Sequence, residues 1–156
     1  MRISTRCSTA IHALLAIAVY APHRKITGSV LAESIGANPV EVRKVLGNLK
    51  KAGIIDISRG SGGMVLKMKP EDITFFDVYS AVDTTALHEL VGLHPNPSSA
   101  CFIGKNIHAL LSQPCEEIAQ AIKQAMGTIT LERLLNNLYE VDPSIKELVD
   151  TVPEIS

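Results

Sequence analysis

Three cysteines, Cys7, Cys101 and Cys115, and the histidines His88, His94 and His108 are the side chains of this 156-residue sequence best suited to metal binding or thiol chemistry. The cysteines are odd in number and widely spaced, so neither a disulfide framework nor a four-thiolate zinc site is expected. Free thiols are expected instead. A small metal hydrolase built on Cys101, His88, His94 and His108 lacks a matching set of carboxylate, nucleophile and base, so the chain reads as a binding protein rather than an enzyme. Cys101 stands apart from the other two thiols. Ser98 and Ser99 can cap a helix, which would place Cys101 in its first turn with Lys105 one turn on, and both the helix dipole and the ammonium favour thiolate. Cys101 is therefore the redox-sensor candidate, with a half-buried structural cysteine as the alternative. Cys7 falls on the apolar stripe of the first helix and reads as a core packing residue, and Cys115, on one face with Leu111, Ile118 and Ile122, reads as a packing residue at a dimer seam.

The charges point to a different chemistry. A net charge of −1 conceals a division at Pro70. Residues 1–70 hold eleven Lys/Arg against three Asp/Glu, a net of +8, whereas residues 71–156 hold four against thirteen, a net of −9. A basic half suits a phosphate-binding surface, because neutralising phosphates releases counterions; chance segregation of solvated charge is the alternative. The basic residues gather at Arg43, Lys44, Lys50 and Lys51, and again beside the run Arg59-Gly60-Ser61-Gly62-Gly63. Glycines there permit positive φ and close approach to a phosphate backbone, and Arg59 at the tip can enter an adjacent minor groove. The run would cradle a nucleotide phosphate only if a helix N-terminus followed it, and none is expected.

The elements that must position these residues follow from periodicity. Cys7, Ile11, Leu14, Leu15, Ala18 and Val19 mark an amphipathic helix over Thr5–Tyr20, ended before Pro22. Val30, Leu31 and Ile35 give a short helix over Thr27–Ile35 that stops at Gly36. Asn38 as N-cap, Pro39 in the first helical position and Glu41 in a capping-box pattern start a third helix, with Val42, Val45, Leu46 and Leu49 on one face and the basic residues on the other. Helix, glycine turn and basic helix make a helix-turn-helix, whose second helix enters the major groove with its N-terminal residues toward the bases. Strands at Ile54–Ile57 and Met64–Lys69 flank the glycine run and form a β-hairpin wing.

Beyond Pro70 the sequence predicts a short helix over Ile73–Val82, a loop broken by Gly92, Pro95 and Pro97, and a long helix from about Ser99 to Met126 that Pro114 should kink. One long helix cannot bury its stripe against so small a domain, and two-fold DNA readers need a partner, so Ile107, Leu111, Ile118 and Ile122 are assigned to a homodimer interface; intrachain core is the alternative. Thr130–Tyr139 reads as a further helix. The expected organisation is a mainly α fold with a small β-hairpin wing: a winged helix-turn-helix over 1–83, a linker loop and dimerisation helices over 84–139, and an acidic tail over 140–156. A composition of 46% hydrophobic and 20% charged residues excludes wholesale disorder and fibrous classes. No apolar run approaches a membrane span and no signal peptide is evident, so a cytoplasmic protein without a membrane partner is expected.

Met1-Arg2-Ile3-Ser4, Leu31-Ala32-Glu33-Ser34-Ile35-Gly36, Leu49-Lys50-Lys51-Ala52-Gly53-Ile54 and the Arg59-Gly60-x-Gly62-Gly63 wing, followed by Ala81-Val82-Asp83 and Ile129-Thr130-Leu131, resemble the Rrf-type family of bacterial regulators, with IscR, NsrR and CymR among its members. The resemblance covers roughly residues 1–139. It implies a homodimeric repressor whose long helices cross at the two-fold axis, each winged domain reading half of a palindromic operator in double-stranded DNA. Carried over by motif position, Asn38, Val40, Arg43 and Lys44 would contact bases, Arg59 with Ser61 in the wing would serve the minor groove, and Arg2 and Thr5 would touch phosphates. Several relatives hold an iron–sulfur cluster on three closely spaced cysteines before the long helix. Here Cys101 is the sole cysteine in that region, so an apoprotein without a cofactor, responding through a thiol or a small-molecule effector, is expected; the alternatives are control by a partner metabolic enzyme, as the resemblance to CymR allows, or an iron–sulfur or other metal-dependent sensor in which His88, His94 and His108 join Cys101.

Overall fold

The N-terminal helix begins where Ser4 permits it. The Ser4 hydroxyl accepts the Arg6 N–H at 3.1 Å, and α1 (Thr5–Tyr20) then buries Cys7, Ala10, Leu14 and Ile17, spaced three and four residues apart, along one face. In this computed structural model residues 4–58 and 63–151 are described; Arg2, Arg59 and Ser61 lie outside them. Helix α2 (Gly28–Ile35) is capped by Thr27 and closed by Gly36, whose φ of 68° lets the chain reverse into the next helix. Helix α3 (Pro39–Lys51) starts at Asn38, whose side-chain oxygen accepts the Val40 N–H at 2.8 Å. The expected capping box does not form. Glu41 instead accepts from Lys44 Nζ at 2.9 Å and stands 3.8 Å from Arg6, because a cation on the same face offers a charge-assisted contact that the Asn38 N–H does not.

Strand β1 (Ile55–Ser58) pairs antiparallel with β2 (Gly63–Leu66), Ile55 opposite Leu66 and Ser58 opposite Gly63. The second strand is shorter than the pattern predicts, because the chain bends at Lys67 and Met68 before the 3₁₀ turn at Pro70–Asp72. Helix α4 (Phe75–Val82) carries a full capping box between Thr74 and Asp77. A short 3₁₀ turn at Leu87–Leu90 leads to α5 (Phe102–Gly127), then α6 (Leu131–Val141) and α7 (Ser144–Thr151). Helix α5 starts three residues later than the sequence predicts and runs on through Pro114, which removes one N–H from its ladder.

After α5 the chain returns to the first domain. The Phe75 N–H donates to the Ile129 carbonyl at 2.7 Å and the Leu131 N–H to the Ile73 carbonyl at 2.8 Å, pairing the approach to α4 with the approach to α6. Met126, Leu131 and Leu135 consequently join one core with Leu14, Ile17, Val45, Leu49 and Val78. Packing is thus continuous across residue 83, and Ile145 of α7 lies against the same core.

Asp83 ties the two ends of this core together. It follows α4 and accepts the Ser4 N–H and the Thr85 N–H, each at 3.0 Å, the first across 79 residues of sequence. Burial opposes ionisation of this carboxyl, but the hydrogen bonds from Thr85 and Ser4, helped by Arg6, outweigh it and hold its pKa below the ordinary value. Asp83→Asn is expected to lower unfolding stability by about 1–2 kcal/mol at neutral pH. A depressed carboxyl contributes fully above the ordinary Asp pKa, and the contribution is lost as pH falls through the folded value. Urea midpoints of the two proteins should therefore converge between about pH 7 and pH 3, and a gap constant over that range would refute a role for the charge.

Candidate nucleic-acid interface

Helix α3 is fixed by Val42, Val45, Leu46 and Leu49 in the core and presents its opposite face outward. Asn38, Val40, Arg43 and Lys44 are all exposed on that face, the apolar Val40 at 53%. Their electrostatic states differ. Lys44 donates to Glu41, and this hydrogen bond and charge, with a smaller contribution from Arg6, hold the Glu41 carboxyl below its ordinary value. Arg43 forms no ion pair with any described residue, so its guanidinium is available to an outside acceptor. Thr5 is exposed at the start of α1, next to the Arg6 that reaches Glu41.

Arg43 also borders a cleft of about 470 Å³ that the start of α2, α3 and the hairpin form together. Thr27 and Ser29 line it with Arg43, above Leu46, Ile57 and Met64. The Thr27 hydroxyl accepts the Val30 N–H at 3.4 Å and lies 3.0 Å from the Ser29 hydroxyl. Two hydroxyls and a helix N-terminus beside a guanidinium are equipped to accept a phosphate. Thr27 and Ser29 were not among the expected contacts; the hydroxyl pattern Thr27-Gly28-Ser29 at a helix start was the available signal.

The hairpin is held at a fixed angle to α3. Met64 N–H donates to the Ile26 carbonyl at 3.1 Å, and Gly63, at φ 71°, packs so closely that a Cβ there would stand 3.1 Å from the Ile26 backbone. Lys50 Nζ reaches the Ile57 carbonyl at 3.5 Å. Helix α3 and the paired strands β1 and β2 therefore form one surface.

The long helix divides its apolar residues in a way periodicity alone does not show. Cys115, Ala119 and Met126 are buried within the chain, and Ile122 packs against the core. Ile103, Leu110 and Ile118 are 66%, 63% and 45% exposed along the neighbouring edge. Of the four residues assigned to a partner, Ile118 is on the open edge, Ile107 and Leu111 are half-buried, and Ile122 is taken up by its own chain. At about 100° per residue the apolar arc of α5 is wide enough for both contacts.

Cys101 is exposed and is the N-cap residue of α5, not a member of its first turn, and its side chain caps nothing. Ser98 folds back so tightly on this helix start that a Cβ on Gly104 would lie 2.5 Å from the Ser98 carbonyl. The His108 ring meets the His94 carbonyl at 2.9 Å. Cys7 is buried, and burial, then the Asp83 charge, pushes its thiol up to about 11, so it stays protonated.

Comparison with known proteins gives this geometry a context. Residues 3–137 match the Rrf2 family, described as an iron-dependent transcriptional regulator. YwnA of Bacillus subtilis (strain 168), designated an HTH-type transcriptional regulator, is 34% identical over 137 residues, spanning 88% of this chain and 99% of YwnA. A crystal structure described as a DNA-binding protein is 30% identical with a TM-score of 0.67, covering 83% of this chain and 98% of that one. The IscR of T. potens shares the fold at 20% identity and a TM-score of 0.68, covering 91% of each chain. The donor set here does not fit an iron site of the clustered-cysteine kind. Cys101 is exposed before α5, Cys7 and Cys115 are buried in separate helices, and no group of three or more His, Cys, Asp or Glu among the described residues is placed to hold a metal ion. No helix among those residues is long and apolar enough to cross a membrane. With the family match extending over most of its length, the chain belongs to the Rrf2 family of DNA-binding transcriptional regulators.

Proposed function

We propose that the protein is a homodimeric repressor that binds a palindromic operator and works without an iron–sulfur cluster. The observation that carries the dimer is the open edge of α5, where Ile103, Leu110 and Ile118 remain exposed although the same helix already packs into its own core. An apolar edge of this length on a basic DNA-binding fold is best covered by a second copy about a two-fold axis. In each half-site Asn38, Val40 and Arg43 face base edges at the start of α3, where Val40 suits a thymine methyl group and Arg43 a guanine. Lys44, Thr5 and Arg2 serve the phosphates, joined by Thr27 and Ser29, and the wing residues Arg59 and Ser61 serve the minor groove. A dimer lying across a promoter excludes other proteins from the same duplex, which makes repression the natural outcome. The exposed Cys101 thiol or a small-molecule effector supplies the signal.

The test is selection from a pool of randomised duplexes with the full chain. Enriched duplexes should contain an inverted repeat whose half-site centres lie about one helical turn, or a multiple of it, apart. Enrichment of an unrepeated site, or of none, would remove the reading.

A further inference from the structure

An open cleft of about 570 Å³ is lined mainly by helices α1, α6 and α7, away from the residues assigned to DNA. Its walls are Ile11, Leu15, Phe75, Leu134, Leu138 and Ile145. One edge is polar: His12 Nε2 lies 3.2 Å from the Ser34 hydroxyl, linking α1 to α2. None of the lining residues is Lys, Arg, Asp or Glu. The volume falls within the range of about 300–1,000 Å³ usual for small-molecule sites, and an apolar lining with few placed polar groups is their usual composition.

We propose that this cleft binds an uncharged, largely apolar small molecule of one to three rings, whose single hydroxyl, amine or carbonyl group meets His12 and Ser34, and that its binding changes affinity for DNA. The lining sets the chemical class: its walls are apolar and it holds no Lys, Arg, Asp or Glu, so a charged group finds no permanent counter-charge there, while an uncharged polar group meets His12 and Ser34 at the exposed edge. The imidazole and the hydroxyl can each donate or accept, so either polarity of ligand group finds a match. Coupling to DNA runs through α2. Ser34 is near the end of this helix, and Thr27 and Ser29 at its start border the cleft that holds Arg43. A ligand that takes the His12 contact from Ser34 acts on the helix that supports the DNA surface, and the linkage is reciprocal. The regulatory half of this proposal rests on the DNA-binding reading above.

The probe is N-phenyl-1-naphthylamine, an uncharged aromatic amine whose fluorescence rises on leaving water. Titrated into the full chain, it should saturate at one probe per chain. Ile11→Trp fills the cleft from α1 and should weaken probe binding at least tenfold; Ile145→Trp fills it from α7 and should do the same, so one variant that fails to fold does not end the test. Saturating probe should move the midpoint of binding to the selected duplex at least threefold in the wild type and leave both variants unmoved. Non-saturable binding, or binding unchanged in both folded variants, overturns the site. So does a cleft that takes up probe only on dilution to monomer, since a second copy is then its occupant. Saturable binding that never moves the duplex midpoint overturns the coupling. Probe binding by a protein that selects no duplex supports the cleft and counts only against the preceding reading.

Discussion

Replacing Leu110 and Ile118 together by glutamate is expected to yield a folded monomer whose operator affinity is lower by about 10²–10⁴-fold. Both residues are exposed, at 63% and 45%, and neither belongs to the core or packs against it, so the melting temperature of the isolated chain should barely change. The effect falls on association. An isologous interface brings each residue close to its own symmetry mate or to a neighbour of it, so two substitutions place four carboxylates in one desolvated patch. A monomer then meets each half-site as a separate event and loses the effective concentration that the partner domain provides. Sedimentation equilibrium gives the oligomeric state, and titration of the selected duplex gives the affinity. A variant that stays dimeric, or a monomer that binds the full operator as tightly as wild type, contradicts the proposed assembly. Substituting Met126 would not make the same test, because that residue is buried within its own chain and its loss would destabilise the monomer.

These contrasts show where sequence reasoning reaches and where it stops. The third helix is legible because its signals are local: Asn38 and Pro39 set the start, the three- and four-residue apolar spacing sets the face, and Gly53 at φ 76° ends the turn that follows. The hairpin is legible for the same reason. What escapes depends on contacts distant in sequence. The periodicity of α5 groups Ile118 with Ile122, yet only the return of the chain through Ile129 decides which edge of a wide apolar arc faces its own core. The capping serines suggest a helix already under way at Cys101, but the fold-back of Ser98 onto Gly104 delays the start, and no propensity reports such packing. Thr27 and Ser29 gain their interest only from lying beside Arg43, and the Asp83 contact with Ser4 spans 79 residues. Glu41 fits a capping-box pattern but meets Lys44 instead, which changes what Lys44 has left to offer a phosphate.

That difference between Arg43 and Lys44 yields the second large effect. Arg43 is exposed and without an ionic partner among the described residues, and in the proposed complex its guanidinium meets guanine O6 and N7. One such contact discriminates by about 1–3 kcal/mol, and a two-fold dimer makes it twice, so Arg43→Ala is expected to weaken the selected operator by about 2–6 kcal/mol. The loss should be confined to one base pair in each half-site: replacing that pair should cost the wild type heavily and the variant almost nothing. Lys44→Ala should behave differently. Its ammonium already donates to Glu41, so its removal should weaken all duplexes alike and modestly, lowering the dependence of log affinity on log salt by about one unit for each phosphate the ammonium had neutralised. Measured side by side on the selected operator, its single-pair variants and an unrelated duplex, the two substitutions separate reading from anchoring. If Arg43→Ala weakens every duplex equally, its guanidinium holds a phosphate, and the base-reading role passes to Asn38 and Val40 at the capped start of α3.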